Sequence, residues 1–211
     1  MKAVVFAGAD IKDYGFCGKY TNNAYIVCCD SGMRHALKLG VTPDCIVGDF
    51  DSTDMETFEF FKKKGVPVKT FPTHKDENDT LLGIEAAIDH GADEIIIIGG
   101  IGNRMDHTLA NCNLLYYIHK KGIKAVMANE KNEIFVVDRE IEIFGEKGEI
   151  ISMIPLSMEV GGITTYGLEY PLYNGALSKD GRLIAVSNVM LDDYAKITVK
   201  EGCLLVMKCR D

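Results

Sequence analysis

Glu94-Ile95-Ile96-Ile97-Ile98-Gly99-Gly100-Ile101-Gly102-Asn103-Arg104-Met105-Asp106-His107-Thr108 is the stretch that decides the fold. It opens with a short, unbroken apolar run, as expected of a strand buried on both faces by crossover helices. A glycine-rich loop follows, and then a helical pattern over Thr108–Lys121. The same order recurs on either side of it. Lys2–Ala7, Tyr25–Cys29, Cys45–Val47, Val66–Phe71 and Lys124–Ala128 are further strand candidates, with helical stretches near Met33–Leu39, Met55–Lys64 and Thr80–His90. Strands alternating with helices predict an open, mostly parallel, Rossmann-like sheet with flanking helices over residues 1–130.

The character changes near Glu130–Asn132. Ile134–Val137, Glu140–Phe144, Glu149–Pro155, Gly161–Tyr166, Arg182–Asn188, Ala195–Val199 and Cys203–Met207 read as strands separated by Gly, Asp and Pro turns, with no long helical pattern among them. Residues 131–211 are therefore expected to form an all-β sandwich domain.

Composition narrows the function. A formal charge of −8 over 211 residues argues against a general nucleic-acid or anionic-membrane binder. Seven cysteines without a CxxC or a zinc-like Cys/His spacing point to reduced thiols in a cytoplasmic protein. No segment is long and apolar enough to span a bilayer. The lysine runs Lys62-Lys63-Lys64 and Lys120-Lys121 fall in last helical turns, where cations complement the helix dipole.

Three clusters of polar and acidic residues follow strand candidates, where the loops of a parallel sheet line one crevice. The first is Gly48-Asp49-Phe50-Asp51-Ser52. If extended, Asp49 and Asp51 share a face and can clasp one Mg²⁺ while Phe50 turns to the core. Capping of the next helix is the plainer alternative. The second cluster is His74-Lys75-Asp76-Glu77-Asn78-Asp79-Thr80, where Asp76 and Asp79 are metal candidates or helix caps. Lys75 either reaches a phosphate oxygen or joins an ordinary surface ion pair. In the third, Gly100 and Gly102 allow backbone N–H groups to approach an anion at a helix N-terminus. Arg104 can fork onto phosphate oxygens. Asp106 can bind metal or position Arg104, His107 can donate to phosphate or cap the helix, and Asn111 can face the same pocket. No GK[ST] follows the glycines, so the loop is not a Walker A motif.

Taken in order, these clusters resemble the thiamin pyrophosphokinase family. The likeness runs through Cys29-Asp30-Ser31-Gly32, Gly40-Val41-Thr42-Pro43-Asp44, the three clusters up to Asn111, Ser152-Met153-Ile154-Pro155-Leu156, Gly162 to Leu172, and Val186-Ser187-Asn188. The sequence differs from the family pattern at Ser31, Asn78, Asn103 and Val189, and contains no tryptophan. The resemblance implies a catalytic α/β domain, a C-terminal β-sandwich that binds thiamin and dimerises, and a homodimer with active sites between subunits. It implies transfer of a pyrophosphoryl group from ATP to thiamin with Mg²⁺. Asp49, Asp51, Asp76 and Asp79 would surround the metal, with Asp30 close by. Asp49, Asp51, Asp79 and Arg104 would carry catalysis. Asp30, Lys75, Gly100, Gly102, Arg104, Asp106, His107 and Asn111 would hold the nucleotide, and Ser187 and Asn188 would approach thiamin. Tyr166, Tyr170 and Tyr173 are the candidate rings to stack on it. A metal-dependent phosphoesterase and a non-catalytic thiamin- or nucleotide-binding protein are the competing readings.

Overall fold

The structure is a computed structural model that describes residues 1–51, 53–71 and 78–210. The chain divides into two compact units, Met1–Glu130 and Lys131–Asp211.

The first unit contains strands β1 (Lys2–Phe6), β2 (Tyr25–Cys29), β3 (Cys45–Gly48), β4 (Val68–Thr70), β5 (Glu94–Ile98) and β6 (Lys124–Ala128). Its helices are α1 (Gly18–Thr21), α2 (Met33–Leu39), α3 (Met55–Lys63), α4 (Asp79–Asp89) and α5 (Met105–Lys120). The strands pair in parallel in the order β6-β5-β1-β2-β3-β4. Val5 lies beside Val27 on one side and Ile97 on the other. Val5, Val27 and Ile95–Ile98 are buried, so both sheet faces are covered.

Strand order reverses at β1. The chain first builds outward through β2, β3 and β4, then returns to place β5 on the other side of β1. In an open parallel sheet, the carboxyl ends of the strands at such a reversal border a crevice.

Helix α4 crosses the centre of this sheet. Thr80, Leu82, Gly83, Ile84, Ala86 and Ala87 are its buried residues, and Leu81 and Ile88 are only half-buried. The reason is close approach: a side chain at Gly83 would lie 2.2 Å from Cys29 Sγ and 2.9 Å from Val5 Cγ1. Small residues set the contact, and the larger apolar ones flank it.

The second unit consists of two antiparallel sheets. One has the order β12 (Ala185–Val189), β9 (Ile150–Pro155), β14 (Leu204–Cys209), β7 (Asn132–Val137). The other has the order β11 (Gly175–Ser178), β10 (Glu159–Tyr166), β13 (Tyr194–Thr198), β8 (Glu140–Phe144). Alternate residues such as Ile151, Met153, Leu204 and Val206 meet Val160, Ile163, Ala195 and Ile197 in one core. The architecture is thus a parallel α/β unit followed by an antiparallel β-sandwich, as the sequence predicts. Elements α1 and β11 have no strong sequence signal, being four residues each and carrying Gly, Ser or Thr.

Candidate active site

A cavity of about 360 Å³ opens at the strand-order reversal of the first unit. Ala7, Gly8 and Ala9 after β1, Asp30 and Ser31 after β2, and Gly99, Gly100 and Gly102 after β5 form part of its wall. Asn78, Asp79 and Thr80 at the start of α4 face Arg104, His107, Thr108 and Asn111 of the α5 start. Of the sequence-predicted residues, the cavity brings together Asp30, Asp79, Gly100, Gly102, Arg104, His107 and Asn111. Lys75 and Asp76 lie outside the described residues.

The loop after β5 is shaped mainly by what stands behind it. A side chain at Gly99 would lie 2.4 Å from Ala7 O, one at Gly100 2.6 Å from Met127 Sδ, and one at Gly102 2.7 Å from Ala9 Cβ. Gly99 also has a left-handed φ of +75°. Ala9 N–H donates to Gly99 O at 2.9 Å, and the Gly102 N–H donates to Thr108 Oγ1 at 3.2 Å. Asn111 is 4% exposed and donates through Nδ2 to Gly100 O at 2.8 Å. The glycines therefore let the loop press against β1 and β6, and Thr108 and Asn111 fix it in place.

Helix α5 begins at Met105, three residues earlier than the apolar periodicity suggests, so Arg104 occupies its N-cap position. Asp106 lies in the first turn, where a carboxylate suits the helix dipole. It accepts from Arg104 Nη2 at 2.6 Å and from Arg104 Nε at 3.3 Å. This pairing holds the Asp106 carboxyl below its usual range and raises the Arg104 guanidinium. Asp106 does not line the cavity; of the two tasks open to it, the geometry favours positioning Arg104. His107 lines the cavity with its Nε2 4.0 Å from Asp106 Oδ2, and the N-cap residue Arg104 makes no capping hydrogen bond with its side chain.

At the start of α4, Asn78 and Asp79 both line the cavity, and Asn78 also caps the helix. Asn78 is the N-cap, and its Oδ1 accepts from Leu81 N–H at 2.9 Å. Asp79, the first helical residue, lines the cavity. Cys29 lies beside these acids. Burial pushes its thiol well up, and the charges of Asp79 and Asp30 add to the rise. Buried in this way, it forms an apolar part of the cavity wall.

Asp49-Phe50-Asp51 is not extended. Phe50 has a φ of +64°, and its half-buried ring sits 4.7 Å from that of Phe58. The Asp51 N–H donates to Asp49 Oδ1 at 3.2 Å, so the triplet forms a turn. The alternation argument for Asp49 and Asp51 sharing a face fails because β3 ends at Gly48. Neither residue caps α3: that task belongs to Asp54, which accepts from Glu56 N–H and Thr57 N–H. Asp49 and Asp51 lie outside the cavity lining, yet their loop reaches it. Thr53 donates to Asp30 Oδ1 at 2.5 Å, and a side chain at Gly48 would sit 3.3 Å from Asp30 Cα.

In the second unit, Ser187 is exposed with a left-handed φ of +60°, at a register shift between β12 and β9. Its N–H donates to Ser152 Oγ at 3.1 Å. Asn188 is buried and committed elsewhere: Oδ1 accepts from Tyr170 N–H and Val189 N–H, and Nδ2 donates to Tyr170 O at 2.7 Å. It holds the Tyr170 segment, leaving exposed Tyr166, Tyr170 and Tyr173 available to a ligand.

Two family models match this chain in succession: the catalytic domain of thiamin pyrophosphokinase over residues 17–127, and its vitamin B1 binding domain over residues 134–204. The chain belongs to the thiamin pyrophosphokinase family. Thiamine pyrophosphokinase of Bacillus subtilis is 29% identical over 185 residues, covering 86% of each chain. Thiamine pyrophosphokinase 1 of Oryza sativa is 26% identical, over 83% of this chain and 69% of the relative. The crystal structure of the Bacillus subtilis protein superposes with a TM-score of 0.89 at 28% identity over the whole of both chains. Thiamin pyrophosphokinase from Candida albicans shares the fold, with a TM-score of 0.83 at 16% identity over 99% of this chain and 90% of that one. The chain is accordingly an enzyme of a transferase family. Neither a phosphoesterase nor a non-catalytic binding protein finds support among these matches.

The family implies a divalent cation. Among the described residues, no three His, Cys, Asp or Glu side chains gather as a ready-made metal group. Mg²⁺ needs none, because it commonly binds through one or two carboxylates and the substrate's phosphates. Asp30 and Asp79, reaching one cavity from two elements, are hard oxygen donors of that kind, so the residues fit.

Proposed function

We propose that this chain transfers the pyrophosphoryl group of ATP to the hydroxyl of thiamin, giving thiamin diphosphate and AMP, with Mg²⁺ required. The observation that carries this reading is the cavity in which Asp30 and Asp79 face Arg104, His107 and the glycine loop at the start of α5. Carboxylates opposite a guanidinium, a helix N-terminus and a glycine-rich loop suit a metal-bound polyphosphate.

Asp30 and Asp79, together with Asp49, Asp51 and Asp76, would hold the metal, which supplies charge neutralisation on the phosphates when bound. Arg104, braced by Asp106, presents a fixed fork to phosphate oxygens. The thiamin hydroxyl attacks the β-phosphorus in line, the bond to the α-phosphate oxygen breaks, and AMP leaves. An aspartate of the acidic set, Asp79 or Asp51, takes the hydroxyl proton. Positioning and electrostatic stabilisation then account for most of the rate.

Ser187 and the exposed tyrosines of the second unit would receive thiamin, with Asn188 holding the Tyr170 segment. Two copies of the chain would associate through the sandwich unit, with each active site between subunits. Seven free thiols suit the reducing cytoplasm. Among the described residues, no helix is long and apolar enough to cross a membrane.

The test is AMP formation from ATP by purified protein, with and without thiamin and with and without Mg²⁺. AMP and thiamin diphosphate rising together only when both are present is the expected result. ATP consumption that yields inorganic phosphate without thiamin diphosphate would refute the reading.

A further inference from the structure

We infer that Thr53 is a positioning residue for Asp30, and that it couples the loop carrying Asp49 and Asp51 to the cavity. The inference rests on the functional reading above and extends it to a residue outside the acidic clusters.

Asp30 is an unusual place for a carboxylate. It is 8% exposed, follows directly on β2 and has a left-handed φ of +43°. Non-glycine residues persist in that region only where their surroundings hold them, and such positions gather at functional sites. The surroundings here are tight. Gly48 passes so close that a side chain there would lie 3.3 Å from Asp30 Cα, Cβ and N. A side chain at Gly32 would lie 2.1 Å from Phe6 O. The main chain around Asp30 is thus packed from both sides, and its side chain lines the cavity.

Thr53 supplies the hydrogen bond that orients that carboxylate, donating from Oγ1 to Asp30 Oδ1 at 2.5 Å. One oxygen is occupied, which leaves the other for the cavity. Thr53 is itself anchored. The next residue, Asp54, caps α3 and accepts from Thr57 Oγ1 at 2.6 Å and from Thr57 N–H at 3.1 Å. The route from the rigid helix end to the carboxylate is therefore Thr57, Asp54, Thr53, Asp30. Asp49-Phe50-Asp51 precedes Thr53 by two residues, and Gly48, just before it, packs against Asp30, so Thr53 and Gly48 tie both ends of that turn to Asp30.

A hydroxyl that merely satisfied a buried oxygen would affect stability and leave ligand affinity alone. A positioning hydroxyl would affect affinity for the metal–nucleotide, typically by about 10- to 100-fold for partners of metal-binding groups. The probe is α,β-methylene-ATP with saturating Mg²⁺, titrated calorimetrically into the full chain, alongside the same titration in EDTA. Thr53→Val keeps shape and removes the donor, Thr53→Ala removes both, and Thr53→Ser restores the donor. Thermal midpoints of all four proteins are recorded in parallel.

The expected result is affinity about tenfold or more weaker for Thr53→Val and Thr53→Ala with Mg²⁺, recovery in Thr53→Ser, and little difference among the four in EDTA. Lowered thermal midpoints with unchanged affinity would make Thr53 structural and overturn the inference. Equal affinity and equal midpoints would overturn it too. Failure of the unsubstituted chain to bind the Mg²⁺–nucleotide would refute the functional reading itself, and this inference with it.

Discussion

Two neighbouring residues at the start of α4 line the cavity, and they differ in what they bring to it. Asn78 caps the helix through Leu81 N–H, and Asp79 brings a carboxylate. Asn78→Ala should therefore cost about 1 kcal/mol of stability in urea denaturation with turnover largely kept. Asp79→Asn should lower kcat by about 100-fold or more while the midpoint stays within error, as loss of a transition-state electrostatic partner does. The reverse pattern would exchange the two assignments. His35 behaves differently. It is fully buried, with Nδ1 2.7 Å from Tyr14 Oη, and Arg34, Tyr14 and Asp10 are the charged or titratable groups around it. Burial depresses its folded value from 6.5 to about 4. The unfolded chain takes up this proton first, so stability is complete above 6.5 and declines as pH falls towards 4. The gap is worth about 3 kcal/mol at its limit. Urea midpoints at pH 7.5 and 5 should converge in His35→Gln and separate in the unsubstituted chain; equal pH slopes would disprove the assignment. A lone histidine reads as structural in sequence, but its depth of burial and its contact with Tyr14 are not legible there. Nor is the turn at Asp49-Phe50-Asp51, since nothing in an aromatic flanked by two aspartates announces a left-handed φ.

At the scale of elements, legibility followed burial. β2, β5 and β6 begin and end where the sequence predicts, because unbroken apolar runs are bounded by polar or glycine residues. Signals weakened wherever structure depends on backbone fit. The β11 segment Gly-Ala-Leu-Ser buries one residue, Leu177, so no alternation is available to read. The start of α5 was misplaced because its first turn holds few core residues: Met105 and Leu109 are both 60% exposed. Helix α4 shows what periodicity omits. Leu81 and Ile88 satisfy the stripe, yet Gly83 makes the close contact with β1 and β2. Gly83→Ala sets two effects against each other. Alanine favours a helix by about 1 kcal/mol over glycine. Its Cβ, however, would lie 2.2 Å from Cys29 Sγ, and overpacking costs about 1–3 kcal/mol. The buried sulfur has little room to yield, so net destabilisation of about 1–2 kcal/mol is expected, with lower activity as Asp79 moves with the helix. A stabilised variant would mean that α4 floats freely on the sheet.

For the molecule as a whole, the sequence indicated where the site lies but not how it is assembled. Apolar runs and glycine loops located the crevice, and the acidic motifs pointed to its ligand class. The link from Thr53 to Asp30 depends on two loops meeting in space, and no local pattern encodes that. The second unit presents a related case. Its inner faces follow from alternation, but its outer face is also apolar. Ala185 pairs with Met153 facing the core, so Val186 falls on the opposite face with Ile154, and Ile184 directly precedes the strand. All three are exposed, Ile184 by 74%. Val186 lies on β12, the edge of its sheet, and Ile154 on the adjoining β9, so the exposed apolar surface borders a sheet edge. A second copy of the chain is the occupant consistent with the homodimer we propose. Sedimentation velocity should then find a dimer, and Ile184→Asp with Val186→Asp should yield monomers. Exposed positions tolerate aspartate with little effect on folding, so the thermal midpoint of the variant monomer should fall only as far as lost association requires. A wild-type chain that sediments as a monomer throughout the micromolar range, or a double variant that stays dimeric, would remove this edge from the interface.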